Sequence, residues 1–213
     1  KLVYDKKVKI NSITCDSYST QVTLNDVVEV EGKTLKLNNK IRLWRFYKPR
    51  GVITTSRDSK ERKTVFDLLP KKLPRVISIG RLDINSEGLL LLTNNGDLSR
   101  FFELPENQLE RTYLVRVRGK VDKKKLSYLN KGIIIEKIRY KPIKAQLKKQ
   151  NSSNAWINMT LTEGKNREIR KICSHFGWTV NKLKRIKYGK FSIDNLKPGQ
   201  ISEVKNRSFG FIK

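Results

Sequence analysis

The sequence predicts an α+β fold, a sheet flanked by a few short helices. Two patterns carry that reading. Apolar and polar residues alternate at period two through several short stretches, most cleanly in Glu110–Gly119 and Trp156–Leu161. The apolar run Leu89–Leu92 is bounded by turn residues and is too short for a helix, as a buried strand requires. Helical spacing is confined to small segments. The clearest has Ile169, Ile172, Cys173 and Phe176 at i, i+3, i+4 and i+7.

Composition narrows the class. The chain has 213 residues, room for one sizeable domain and a small companion. Its net charge of +27 points first to a nucleic-acid polyanion and second to an anionic membrane surface. No apolar run approaches the roughly 18 residues that a membrane span needs, and no signal-peptide pattern is read. Cys15 and Cys173 are isolated and read as buried thiols in a reducing cytosol, so a cytoplasmic location is expected. A single histidine, His175, excludes multi-histidine metal sites. The chain begins at Lys1, which leaves open whether residues precede it.

Taken in order, residues 1–38 read as short strands, Lys7–Asn11 and Val27–Lys33, with turns at Asn25-Asp26 and Gly32. Lys36–Arg42 reads as a basic linker. The main domain then occupies residues 43–213. Leu43–Tyr47 alternates as a strand, Pro49-Arg50-Gly51 turns the chain, and Val52–Thr55 is expected to return as a second strand. Residues 56–63 carry no apolar side chain and read as an exposed loop; Thr64–Leu69 starts a short helix stopped by Pro70. Val76–Ile79 and Leu89–Thr93 are core strands joined by a tight link that carries Arg81 and Asp83, with turns at Asn85–Gly88 and Asn95-Gly96. Asp97–Phe102 reads as a helix with an acidic cap. In Glu110–Gly119 the alternation puts Tyr113, Val115 and Val117 on the core face and Leu114, Arg116 and Arg118 on the other. Val121–Leu129 is a short basic helix, Ile133–Ile135 and Lys144–Leu147 are strands, and Lys148–Asn154 is a hairpin loop before the strand Trp156–Leu161. The helix from about Arg167 has Asn166 as its expected cap and Gly177 as its stop. Arg167, Arg170, Lys171 and Ser174 share the face beside its apolar one. Between Glu163 and Lys190 there are nine Lys or Arg against two acids, too lopsided for a balanced solvated surface.

The stretch Gly80-Arg81-Leu82-Asp83, four residues, then Gly88-Leu89-Leu90-Leu91-Leu92-Thr93-Asn94-Asn95-Gly96 resembles the catalytic motif of the pseudouridine synthases, in the RsuA/RluB branch that modifies ribosomal RNA. Lys48-Pro49-Arg50-Gly51-Val52-Ile53-Thr54-Thr55 resembles that branch's first motif, which buttresses the site. Glu110-Arg111-Thr112-Tyr113 resembles the segment whose tyrosine meets the target base. Leu161-Thr162-Glu163-Gly164-Lys165-Asn166-Arg167-Glu168-Ile169-Arg170-Lys171 resembles the third motif, and Leu196–Gln200 the closing turn. The resemblance runs from Leu43 to Glu203. It implies a mixed, mostly antiparallel central sheet with flanking helices. Residues 1–38 resemble the second half of an S4 RNA-binding domain without its helical first half; a small β appendage is the equal alternative.

The chemistry implied is uridine isomerisation: the N-glycosidic bond breaks, the uracil turns, and it rejoins through carbon. Asp83 is the implied nucleophile or base, Arg170 its partner, and Tyr113 the ring that stacks on the flipped uracil. A carboxylate held beside a guanidinium stays ionised. Whether Asp83 attacks the sugar or the base, or first removes a proton, is left open. Arg81 fills the vacated stack or holds a phosphate, and Ile169 lines the pocket. Lys165, Arg167, Lys171, Lys184 and Arg185 supply phosphate contacts. No metal and no cofactor is expected. The expected partner is ribosomal RNA, with a lean to the large (23S) subunit, and the expected state a monomer. The rival reading is a non-catalytic S4-type, ribosome-associated RNA-binding factor, for which the Arg81–Asp83 block has no use.

Overall fold

The computed structural model describes residues 1–23, 25–35, 40–56 and 58–205. Residues 36–39 of the expected linker Lys36–Arg42 lie outside these, as does Arg57 of the expected loop. The chain forms two compact units, Lys1–Lys40 and Ile41–Lys213.

The first unit is a four-stranded antiparallel sheet of β1 (Val8–Ile10), β2 (Ile13–Thr14), β3 (Val28–Val30) and β4 (Lys33–Thr34), in the order β2-β1-β3-β4. Side chains close its corners. Asn11 accepts from the Val27 amide at 2.9 Å and donates to Asp26 at 2.6 Å. Asp26 also takes the amide and hydroxyl protons of Thr23, which with the Asn11 bond hold its carboxyl below the usual range.

The second unit contains β5 (Leu43–Lys48), β6 (Ile77–Ile79), β7 (Glu87–Thr93), α1 (Gly96–Glu103), β8 (Arg111–Arg118), α2 (Lys123–Tyr128), β9 (Ile133–Ile135), β10 (Ile138–Tyr140), β11 (Lys144–Gln150), β12 (Asn154–Leu161), α3 (Glu168–His175), β13 (Thr179–Tyr188), β14 (Phe191–Ser192) and β15 (Ile201–Glu203). Its main sheet runs β11-β12-β8-β13-β7-β5-β15, with β6 paired to β7 and β14 to β13. Every pairing among these strands is antiparallel except β7 with β13. The sheet is therefore mixed and mostly antiparallel. Its two halves meet at that one parallel pair, in register only at Glu87↔Lys184 and Gly88↔Arg185.

The halves are built differently. The four leucines of β7 are fully buried because both faces of that strand are covered. Leu89 and Leu91 pack with Leu98 and Phe102 of α1; Leu90 and Leu92 pack with Trp44, Phe46, Val52 and Leu82. In the other half only one face is covered. Val115, Val117, Ile157 and Met159 pack on Ile169, Ile172 and Cys173 of α3 and on Leu126 of α2, while Arg116 and Arg118 face outward.

Several expectations at element ends change. The cap of α1 is Asn95, whose side chain accepts from the Leu98 amide at 2.7 Å; Asp97 sits inside the first turn. Val52–Thr55 forms no strand, only an isolated bridge from Ile53 to Thr64. Thr64–Leu69 contains a single 3-10 turn, Phe66–Leu68. Arg167, not Asn166, precedes α3. Both thiols are free and buried, and burial pushes that of Cys173 up to about 12.

Candidate active site

Asp83 lies on the link between β6 and β7, and its backbone is held from several sides. The Thr54 hydroxyl donates to the Leu82 carbonyl at 3.0 Å and accepts from the Leu82 amide at 3.3 Å. The Gly51 amide donates to Ile84 O at 2.8 Å, and the Ser86 amide to Asp83 O at 2.9 Å. Beneath the link is Lys48, with no exposed surface. Its ammonium donates to Asp83 O at 3.0 Å, Ser86 O at 2.8 Å and Pro49 O at 3.1 Å. Three N–H donors meet three carbonyls, so the burial of this charge is compensated. Desolvation still pulls the ammonium down to about 8, against the pull of Asp83 and Glu87. The first-motif segment thus supports the link by way of Lys48.

The opposite wall is the start of α3. Arg167 adopts a left-handed backbone (φ 52°), unusual for an arginine, and turns its side chain toward Asp83: Nη1 lies 3.9 Å from Asp83 Oδ2. Arg170 Nε lies 4.0 Å from the same oxygen. Neither distance is a hydrogen bond. Asp83 keeps 35% of its side chain exposed between them, which leaves room for a substrate. Arg170 is the more buried of the two. Its Nη2 donates to Asn85 O at 3.0 Å and its Nη1 to Val180 O at 3.4 Å, so one guanidinium ties the Asp83 half to the α3 half. Its Nε is buried and donates to nothing. Burial and the neighbouring Arg167 lower its pKa, with Asp83 opposing.

The turn into α3 is fixed by two buried acids. The Lys165 amide donates to Glu168 Oε2 at 3.0 Å and the Lys141 amide to Glu163 Oε1 at 2.7 Å; Lys165 Nζ bridges Glu163 Oε2 and Arg139 O, both at 2.6 Å. Glu168 is driven up to about 8 by burial and by Glu163, while hydrogen bonds from Lys165 and Lys141 hold Glu163 below its ordinary value. The two acids are thus pushed apart, Glu163 toward its charged form and Glu168 toward its neutral one.

Of the other residues singled out in the sequence, Tyr113 is half-buried and packs against both apolar clusters that flank the site, the one containing Leu82 and the one containing Ile169. It shares a row across the sheet with Lys48, Gly88, Arg185 and Met159. Arg81 is exposed at the mouth of the link. Ile169 is a core residue, 5% exposed. Lys171 is half-buried on α3. Lys165 is engaged by Glu163 and the Arg139 carbonyl, and the expected phosphate contact would compete with those bonds. Lys184 lies on the sheet face opposite Tyr113, its ammonium 4.9 Å from the centre of the Tyr47 ring. Arg185 corrects the expectation of a phosphate contact: it is 2% exposed, and its Nε donates inward to Leu89 O at 2.7 Å. The signal was present, because period two from the buried Leu183 places Arg185 on the same face.

Gly88 allows the two halves to touch. Its φ is +107°, and a Cβ there would sit 2.2 Å from the Arg185 carbonyl oxygen.

The chain is similar to known proteins over most of its length. A family model described as RNA pseudouridylate synthase matches residues 42–175. The chain is 54% identical to an RNA pseudouridine synthase of Rickettsia felis, over 97% of this chain and 90% of that one. It is 35% identical to the ribosomal large subunit pseudouridine synthase B of Bacillus subtilis, over 96% and 84%. A crystal structure of a pseudouridylate synthase superposes with a TM-score of 0.70 at 27% identity, covering 97% of this chain and 88% of the other.

Proposed function

Because the chain belongs to the RNA pseudouridylate synthase family, we propose that it isomerises a uridine of large-subunit ribosomal RNA, with Asp83 as the reacting carboxylate. The observation that carries this is the placement of Asp83: its backbone is pinned by Lys48 and Thr54, and its half-open carboxylate faces Arg167 and Arg170 across the junction of the half-sheets. The relatives named ribosomal large subunit pseudouridine synthase B supply the substrate class.

The reaction keeps every atom of the uridine. A carbon–nitrogen bond is exchanged for a carbon–carbon bond, one proton leaves the joining carbon and one arrives at the freed ring nitrogen. Asp83 is the group that opens the bond. Tyr113 offers its ring to the turned-out base and its hydroxyl to the proton traffic. Arg170 holds Asp83 in place, Arg167 receives a phosphate of the strand, and Arg81 occupies the gap the base leaves. The +27 charge supplies long-range attraction to RNA. The first unit is read as the strand-bearing half of an S4-like module that adds RNA contacts, and the enzyme as a cytoplasmic monomer.

The decisive experiment maps pseudouridine in ribosomal RNA by carbodiimide primer extension, in cells with and without the gene and with Asp83→Asn. One large-subunit stop is expected to vanish with the gene and to stay absent with Asp83→Asn, while that variant binds RNA nearly as wild type does. Turnover by Asp83→Asn would remove the aspartate from the mechanism.

A further inference from the structure

Where β7 and β13 diverge, the sheet is open. β7 begins only at Glu87, so the first residues of β13 have β8 on one side and no strand on the other among the described residues. A cavity of about 220 Å³ fills this gap, lined by Arg50, Asn85, Glu87, Arg116, Asn181 and Lys182 above Leu183. Asn85 belongs to the link that carries Asp83, and its carbonyl accepts from Arg170, so the cavity shares that link, while Glu87, Arg116 and Lys182 belong to the sheet face opposite Tyr113. Asp83, Arg81 and Tyr113 are not part of its lining.

The chemistry of the lining is specific. Arg50 and Arg116 are exposed and pair with no acid among the described residues. Lys182 pairs with Glu87 at 3.1 Å. Glu87 is only 13% exposed, and its buried Oε1, although close to Lys182, has no hydrogen bond aligned on it. Two free guanidinium groups suit a phosphodiester. A buried acceptor among cations suits a hydroxyl proton, and the hydroxyl that RNA has and DNA lacks is the ribose 2′-OH.

We propose that this cavity seats one ribose-phosphate unit of the RNA strand that carries the reacting uridine, away from the uridine itself. Arg50 and Arg116 bind its phosphate, and Glu87 accepts its 2′-hydroxyl proton. The cavity thereby separates RNA from DNA at a point away from the base. This rests on the RNA-modifying reading above.

The test compares binding of a short oligouridylate with its 2′-deoxy counterpart across a salt series. Arg116→Ala should weaken both probes about tenfold and lower the salt slope by about one. Lys124→Ala, which removes one exposed charge from α2, should change neither noticeably. Wild type should prefer the ribose probe. Glu87→Ala should bring the two affinities together, and Glu87→Gln, which keeps an acceptor oxygen, should restore the preference. The proposal is overturned if Arg116→Ala matches Lys124→Ala, if wild type shows no ribose preference, or if Glu87→Ala keeps it. Pseudouridine formation by wild type is scored separately by carbodiimide mapping. Loss of that activity with these binding effects intact sinks the function and not the cavity, and the reverse outcome sinks the cavity alone.

Discussion

The two halves of the catalytic unit hold their working groups by opposite means. The β5–β7 half has apolar residues on both faces and fixes Asp83 through its backbone. Lys48 and Thr54 bond the link's main-chain groups and leave the carboxylate itself free. The β8–β13 half has one covered face and presents its cations as side chains from a helix start, Arg167 exposed and Arg170 half-sunk. The acid is thus placed through its backbone and the cations through their side chains. The difference teaches that damage on one side should be all-or-none and damage on the other graded.

The largest effect is expected on the backbone-held side. Lys48→Met leaves buried carbonyls without donors, each costing about 1–3 kcal/mol, offset in part by relief of the buried charge. A net loss of about 2 kcal/mol is a fall in melting temperature of roughly 4–8 °C for a chain this size. A link displaced by an ångström costs about 100-fold in rate. Calorimetry and single-turnover rates on the same preparation check both, and a variant that melts lower yet reacts at full rate would break the comparison.

On the side-chain side, Arg170→Ala should slow the single-turnover rate at saturating RNA, because it removes both the more buried of the two cations beside Asp83 and the clasp between Asn85 and Val180. Arg167→Ala should mainly weaken binding, by about 1–3 kcal/mol for a charge-assisted phosphate contact. Both stand about equally far from Asp83, so kinetics and not distance must separate them. If Arg167 governs the rate and Arg170 only the affinity, the roles are exchanged.

The smallest effect concerns pH. Folded Glu168 keeps its proton to about 8, whereas an unfolded glutamate loses it near 4.5. Between these values the folded state holds the extra proton, so stability falls as pH rises from 4.5 to 8. Folded Lys48 loses its proton near 8 and an unfolded lysine near 10.5, so stability recovers above 8, until near 9 the Cys173 thiol, protonated to about 12 only when folded, cancels the gain. Thermal melts should pass through a minimum near pH 8. Relative to wild type, Glu168→Gln should flatten the descent and Lys48→Met the recovery; unchanged profiles would refute the assignments.

Much of this was legible beforehand. Period two in Tyr113–Arg118 and Ile157–Leu161 assigned their faces correctly, because one side of those strands is covered and the other is wet. The helical spacing from Ile169 to Cys173 marked the buried face of α3. One expected phosphate contact was misplaced: Arg185 carries a charge that composition assigns to the surface, yet it follows the buried Leu183 at period two and meets a backbone carbonyl inside. Lys48, two residues after buried Phe46, is sunk in the same way within the buttressing motif. A long cationic side chain reaches main-chain acceptors that no side-chain pattern reveals. Val52–Thr55 looked like a strand because it is β-branched, but its groups are spent on tethers to Lys63 and Leu82.

The parallel pair at Gly88 also orders how the chain must fold. The Arg185–Leu89 bond that seals it spans 96 residues of sequence, whereas the β11–β12 hairpin turns within three, Asn151–Ser153. Local hairpins form before distant closures, which cost more loop entropy. Asp83 and Arg170 lie on opposite sides of the late closure, so neither meets the other until it forms. A refolding chain should therefore regain its far-ultraviolet signal first, and its catalytic pair only with the last cooperative step.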